Sequence, residues 1–449
     1  MKRRDFLTGL GAVSAATATT ALIAADLPNP PRTVDTDVLV IGGGTAGTIA
    51  AIQAGRLGAR TILVESGSQL GGTTTTGGVD FPGLFHAWGN QVIAGIGWEL
   101  VTATVEMNDD ELPDFTKPTG RSHPRHQVRI NGQLYAALAE EAAVKAGVQL
   151  RYYEFPLSVI PTATGWRVRL VGKGTNVDVT AKQLVDCTGS ASVVGLAGLP
   201  RLREKTTQPG TLIYRLGGWD PAAVQTSALE ARAKAAIASG ELNSLDIRGN
   251  ITGFLRNRAD NAMHVSGADS STSETHSSAN ILGRQSVLRV VRFLKKDPVF
   301  AFLKIERLQP ETGVRETFRI VGETSVSEAD YRNGRVFEDA VSHSFYPIDL
   351  HVDGRIVPDH LKEGIVPTVP RSALIPKGSK NLMVAGRCIS SDRMANSALR
   401  VQASCMGMGQ AAGVTAALAA RSGTTPLQVP LADIRRELAR HGAIVPKTA

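Results

Sequence analysis

Asp37-Val38-Leu39-Val40-Ile41-Gly42-Gly43-Gly44-Thr45-Ala46-Gly47 opens the stretch that decides the fold, and it closes 18 residues later on Thr61-Ile62-Leu63-Val64-Glu65. Val38 to Ile41 is a short aliphatic run of the kind that forms a parallel strand buried on both faces. It leads straight into glycines that fit G-x-G-x-x-G. Gly42 permits the tight turn, Gly44 lets the backbone approach a pyrophosphate, and Gly47 lets helix and strand pack closely. The Ala-rich residues 45–57 predict a helix whose first amides face that phosphate, with Gly58 as its stop. Residues 61–64 predict a second strand, and the Glu65 carboxylate suits ribose hydroxyls. A lone Gly-rich turn can merely pack a helix. Strand, glycines, helix, strand and acid in one unit of this length point to a bound dinucleotide.

Working outward, Ser66 to Leu70 lead to Gly71-Gly72, then Thr73 to Thr76, then Gly77-Gly78. Apolar packing does not explain that run. Glycines allow close backbone approach, and the hydroxyls and amides can bond a phosphate or a flat polar ring. Short strands are expected at 148–153, 157–160, 166–171 and 177–180, and another at 183–186 runs into Cys187-Thr188-Gly189. Helices are expected at 133–146, 221–239 and 279–296, the last capped by Ser277 or Ser278. Tyr346 to His351 reads as strand followed by loop. Near the C-terminus, a strand ends in Gly386-Arg387. A small-residue helix at 395–421 follows, in which Gly407, Gly409 and Gly413 are costly unless something packs very close.

A chain of 449 residues exceeds a single hydrophobic core, so two domains are expected. The fold class is α/β: a Rossmann-like dinucleotide domain with a β-meander, plus a second α+β domain acting as cap. The boundaries fall at 35–80, 125–204 and 376–449 for the first and at 81–124 and 205–375 for the second. Upstream, Arg3-Arg4-Asp5-Phe6-Leu7 and the uncharged stretch 8–25 resemble a twin-arginine export signal, and Pro-containing residues 26–34 read as a linker. That predicts an exported, periplasmic protein that uses the twin-arginine export machinery. Leu22 and Ile23 occupy the positions where a cleavage site prefers small residues, so an uncleaved anchor is an alternative. No apolar run long enough for a membrane span follows residue 30.

The net charge is +8. The basic residues are scattered without aromatic interleaving, which argues for anionic small ligands and against nucleic acid. Cys187, Cys388 and Cys405 lie in apolar, Gly-rich settings without C-x-x-C spacing, as buried thiols do. The Ser-rich neighbourhood of His264, Asp269, Glu274 and His276 lacks tight ligand spacing, so no metal is expected.

Four blocks together resemble the bacterial FAD-dependent oxidoreductases, two-domain flavoproteins distantly related to the fumarate reductase flavoprotein. They are 38–65 with Gly71-Gly72-Thr73, Asp186-Cys187-Thr188-Gly189, Gly313 to Glu316 with Arg319 to Glu323, and 381–410. Tyr346-Pro347-Ile348-Asp349-Leu350-His351 strengthens the third. The resemblance implies FAD between the domains. It implies contacts from Gly42, Gly44, Thr45, Ala46, Gly47, Glu65 and Ser66, and from Gly72, Thr73 and Thr74. It further implies Leu157 near adenine, Thr188 and Gly189 at the pyrophosphate, and Gly386, Arg387 and Val401 along the ribityl chain and ring edge. Arg387 departs from the pattern, because guanidinium cannot accept a ribityl hydrogen bond; facing the pyrophosphate is its alternative.

Flavin would carry the redox chemistry, taking a hydride at N5, while the protein supplies position, a proton acceptor and fixed charge. The candidates are Arg315, His351, Arg400 and His86, with Arg319, His343 and Tyr346 beside them. Asp349 could orient the His351 ring, and His86 could hold a flavin covalently. The expected activity is dehydrogenation of a small polar, hydroxylated or sugar-like substrate, with an unassigned electron acceptor. Alternatives are reduction of an activated C=C bond, using Arg315, Arg319 and Arg400, and a non-catalytic FAD-binding module. An NAD-only enzyme would not need the Thr-Gly and Gly-Arg blocks.

Overall fold

The computed structural model describes residues 31–117, 122–353, 355, 356 and 358–447. The twin-arginine stretch and most of the expected linker lie outside the described residues. The protein is a mixed α/β structure organised by one seven-stranded sheet. Its strands are β1 (Arg32–Ile41), β2 (Thr61–Glu65), β3 (Gln149–Tyr152), β4 (Glu154–Pro161), β5 (Trp166–Gly172), β6 (Thr175–Asp186) and β7 (Leu382–Val384). The order is β3-β2-β1-β6-β5-β4, and β7 pairs with the end of β6.

β1, β2, β3, β6 and β7 run parallel, and β4, β5 and β6 form the antiparallel meander. The last four residues of β1 are all buried, as expected for a strand covered on both faces. The register aligns Ile41 with Val64 and with Asp186, and Asp186 with Val384. Four strand ends therefore reach one carboxyl edge together. They deliver the glycine loop, Glu65, Cys187-Thr188-Gly189 and Gly386-Arg387 to the crevice where open α/β sheets bind ligands.

Two strands expected at 177–180 and 183–186 are one strand, β6. It runs on because β1 pairs with it from Arg32 to Ile41, while β5 and then β7 take successive halves of its other edge. The helix expected at 395–421 is two, α5 (Arg393–Leu399) and α6 (Gln402–Ser422), broken where Val401 turns extended. Residues 344–350 form no strand of their own; the strand here begins at His351.

Helix α1 (Thr45–Arg56) lies against α6. A Cβ at Gly409 would stand 2.2 Å from the Ala46 carbonyl oxygen, and one at Gly413 2.4 Å from that of Ala50. These glycines let two backbones touch. α2 (Ile96–Met107) and α3 (Gly132–Lys145) complete the layer. Side chains from Leu84 to Val105, and from Val326 to Ile375, join the same apolar cluster as α1 and α6. A separate cluster draws its residues from Leu212 to Leu303. It packs beneath α4 (Ser273–Leu294), which starts earlier than expected. Its cap is Thr272, not Ser277 or Ser278, and Thr272 and Thr275 close a reciprocal capping box. Among the described residues no helix is long and apolar enough to cross a membrane.

Candidate functional site

A cleft of about 1590 Å³ runs from the carboxyl edge of the sheet to the 212–303 cluster. Its outer end is built by the glycine loop. Gly42 adopts φ +101°, and a Cβ there would stand 2.5 Å from the Cys187 carbonyl oxygen. Gly47 packs on the loop itself, where a Cβ would fall 1.8 Å from Gly42 O. Gly44 differs, since a Cβ would meet nothing within 4 Å. That open side borders the cleft. Helix α1 has no side-chain cap at Gly44, so its first amides are left for a ligand. α6 likewise starts without a side-chain cap at Val401, which also borders the cleft. Two uncapped helix starts facing one cavity suit an anionic dinucleotide.

The walls are braced from behind. Glu65 accepts hydrogen bonds from Gly43 N at 2.7 Å and Gly67 N at 2.6 Å, and Ser66 Oγ adds a third. Gly71 N donates to Gly43 O, tying the threonine loop to the glycine loop. Thr188 is fixed by buried Asp186, which accepts from its amide and hydroxyl. Arg387 donates from Nε to Gly189 O at 2.8 Å and from Nη1 to Val314 O. It clamps the end of β6 to the segment before Arg315, and burial holds its pKa below the usual guanidinium value. Thr74 is buried away from the cleft and donates to Gln402, which fixes the start of α6. Leu157 does not line the cleft. It stands at a register shift between Pro156 and Ser158 with its side chain in solvent, and Glu154, Phe155 and Pro156 form that wall.

The inner end is a charged cluster. His351 Nε2 lies 3.0 Å from Asp349 Oδ2, and His351 Nδ1 lies 3.3 Å from His264 Nε2. Burial, with Arg315 nearby, lowers the His351 pKa to about 4 against the Asp349 hydrogen bond, so the ring is neutral at pH 7. Its proton then belongs on Nε2, donated to Asp349. Burial would raise the Asp349 pKa, but His351, Arg400 and Arg315 outweigh it and hold the carboxyl at about 2. Arg400 Nη2 donates to the Asp349 carbonyl oxygen at 3.1 Å and lies 3.6 Å from Oδ2. Arg315 donates to Pro209 O and Thr211 Oγ1, and burial beside Arg400 pushes its pKa down to about 9. Tyr346 accepts from Gln127 Nε2 at 2.8 Å and faces His123 edge-on.

The cleft thus gathers Arg315, His351 and Arg400 with the outer residues. It does not gather His86, which stacks on Phe115 at 3.7 Å between centroids, with Trp98 at its edge. A ring held in that stack outside the cleft is not positioned to carry a flavin. His343 also lies outside the lining. Arg319 is buried and tied to Glu204 and to Ser391 O, which removes one of the three arginines expected near substrate. Arg248, His123 and Gln127 border the cleft and carry no signal in the sequence. They lie in irregular or polar stretches without a motif. The three cysteines are free and buried, and no group suited to a metal ion occurs among the described residues.

Known proteins resemble this chain to differing extents. Nicotine dehydrogenase of Pseudomonas putida (strain DSM 28022 / S16) is 38% identical over 104 residues, 20% of each chain. Mitochondrial dihydrolipoyl dehydrogenase of Caenorhabditis elegans is 51% identical over 45 residues, 10% of this chain and 9% of the other. The chain therefore aligns with a fifth or less of these curated relatives. Among solved structures, a geranylgeranyl bacteriochlorophyll reductase-like protein of Thermoplasma acidophilum is 14% identical over 91% of this chain and 82% of its own, with a TM-score of 0.40. The flavin-dependent monooxygenase PieE, in complex with FAD and substrate, is 18% identical over 41% and 35%, with a TM-score of 0.28. The family described as FAD dependent oxidoreductase matches residues 37–438. The glycine loop, the aligned strand ends and the two uncapped helix starts all fall within that span, and the protein belongs to this family of FAD-dependent oxidoreductases.

Proposed function

We propose that this FAD-dependent oxidoreductase dehydrogenates a small polar substrate bearing a hydroxyl group, bound at the inner end of the cleft. The observation that carries the reading is the Asp349–His351 hydrogen bond in the cavity that also holds the glycine loop, with His264 against the ring from outside the lining. FAD, when bound, supplies the two-electron acceptor. Gly42, Gly44, Thr45, Ala46, Glu65, Ser66, Gly72 and Thr73 would hold its ADP half, with Thr188 and Gly189 at the pyrophosphate. Gly386, Arg387 and Val401 would hold the remainder. Gly47 acts beneath them by keeping α1 against the loop, and Thr74 through Gln402.

His351 takes the hydroxyl proton on Nδ1, a step that requires the substrate hydroxyl to displace the 3.3 Å hydrogen bond from His264. Asp349 fixes the ring through Nε2 and stabilises the imidazolium that forms. Arg400 keeps the Asp349 carboxylate charged and in place. The pairing of Arg315 with Arg400 favours a second reading, reduction of a C=C bond activated by a carboxylate. The N-terminal Arg3-Arg4 segment supports a further part of the proposal, export by the twin-arginine route.

Anaerobic screening of the purified holoprotein tests the reading and its direction. A hydroxylated compound is expected to bleach the visible flavin bands, and His351→Gln should slow that bleaching by about two to four orders of magnitude. If only prereduced enzyme responds, and to enoates alone, the second reading replaces the first. No response to either class in yellow, folded protein would leave FAD binding without catalysis.

A further inference from the structure

The inner cleft holds more positive charge than its own side chains neutralise. Arg248, Arg315 and Arg400 all border it. Arg315 rests on a carbonyl and a hydroxyl, neither of them charged. Arg400 meets Asp349 at 3.6 Å, and its Nε is buried without a hydrogen-bond partner. Arg248 Nη1 is also buried without one. Other cleft carboxylates are committed elsewhere: Asp260 to Arg215, Glu154 to Arg151, and Glu65 to the glycine-loop amides. Glu311 lies 3.5 Å from His276. Among the described residues lining the cleft, Asp349 is left as the one carboxylate acting on the three guanidiniums, while His351 and His264 are held neutral by burial. A buried donor left unmade is costly, and a buried like-charge group more so, unless a ligand supplies what is missing.

We propose that Arg248, Arg315 and Arg400 form an anion subsite for a substrate carboxylate, with Arg248 as the residue that selects it. The proposal rests on reading the inner cleft as the substrate site, and holds for either direction of reaction. A guanidinium presents a planar fork of N–H donors that matches two carboxylate oxygens. The unpartnered Nη1 of Arg248 and Nε of Arg400 are the donors such a group would take. Arg248 belongs to the irregular stretch between Leu245 and Asn250, whereas Arg315 and Arg400 come from two other segments. The subsite exists only in the folded chain.

Calorimetric titration of the holoprotein with succinate, and with its neutral diamide succinamide, tests this without turnover. Succinate should bind at least about tenfold more tightly than succinamide, the contribution of one charge-assisted contact. Arg248→Met should weaken succinate about ten- to hundredfold and leave succinamide unchanged. Arg248→Lys keeps the charge, loses the fork, and should give an intermediate affinity. Arg167→Met removes an exposed arginine from β5, outside the cleft, and should change nothing. Equal binding of succinate and succinamide would overturn the proposal. So would equal succinate affinity in the wild type and both Arg248 variants. The dehydrogenase reading fails separately: neutral polyols that bleach flavin without any succinate binding would retain it and remove the anion subsite, and succinate binding without any bleaching would do the reverse.

Discussion

The His351 side chain is 6% exposed, with carboxylate, imidazole and guanidinium around it. Burial lowers the pKa of five imidazoles among the described residues, His343 included. Burial first, then neighbouring charge, takes His86, His123 and His351 to about 4 and His264 to about 3. The unfolded chain binds protons at histidine below about pH 6.5, while the native protein refuses them until about pH 4. The unfolded state then carries more protons across that window, so stability falls as pH falls. Lowering the pH from 7 to 4.5 should cost about 2 kcal/mol through His351 alone. Denaturant midpoints at the two pH values check this, and His351→Gln should lose correspondingly less than wild type. An equal loss in both proteins would show that His351 is not held neutral. The sequence offered His86 and His351 as candidates of equal standing. Their separation depends on Phe115 and Trp98 packing against one ring and on Asp349 and His264 meeting the other. Three of those four partners lie 12 or more residues from the histidine they contact, and no local pattern encodes them.

Helix α6 was legible as a helix, and its glycines as a sign of close approach, because glycine in a helix interior is otherwise unfavourable. The break before it was not legible. Residues 395–421 keep helical composition throughout, and only the three-dimensional setting turns Val401 extended and leaves α6 uncapped at the cleft. Nor did the glycines turn out alike. A Cβ at Gly409 or Gly413 meets rigid carbonyl groups of α1, whereas one at Gly407 stands 3.3 Å from Ser342 Cβ. Gly413→Ala should therefore destabilise the protein by about 1–3 kcal/mol, although alanine by itself favours a helix by about 1 kcal/mol. Gly407→Ala should come out near neutral, since its propensity gain offsets a small displacement. Chemical denaturation of the two variants makes the comparison. A G413A protein as stable as G407A would mean that α1 and α6 are not pressed together as described. Because Ala46 belongs to both the helix contact and the cleft wall, Gly409→Ala should also weaken FAD retention in dialysis.

At the scale of the molecule, the sequence read the sheet well because its strands are local and strongly patterned. It read the cleft only in part, because the inner wall comes from Arg248, Arg315, Asp349 and Arg400, four positions spread over 150 residues. The apolar clusters bear on the same point. Leu84 to Val105 and Val326 to Ile375 pack with α1 and α6, and the separate cluster runs from Leu212 to Leu303. The proposed FAD site would draw on segments near residues 42, 188, 386 and 401 at once, so on that reading cofactor is enclosed only by a chain that has already folded. A threading export route delivers an unfolded chain, whereas the proposed twin-arginine route carries a folded one. Loading should thus come before export. In a bacterial host, replacing Arg3-Arg4 by Lys-Lys should leave yellow, FAD-loaded protein in the cytoplasm and little in the periplasm. Gly44→Val, which puts a branched side chain into the cleft where FAD is expected, should also reduce the exported fraction, with colourless protein held behind. Fractionation followed by flavin extraction from each compartment measures both. Export of the lysine variant at the wild-type level would refute the assignment of Arg3 and Arg4. Full export of colourless Gly44→Val protein would break the link between loading and transport while leaving the route itself intact.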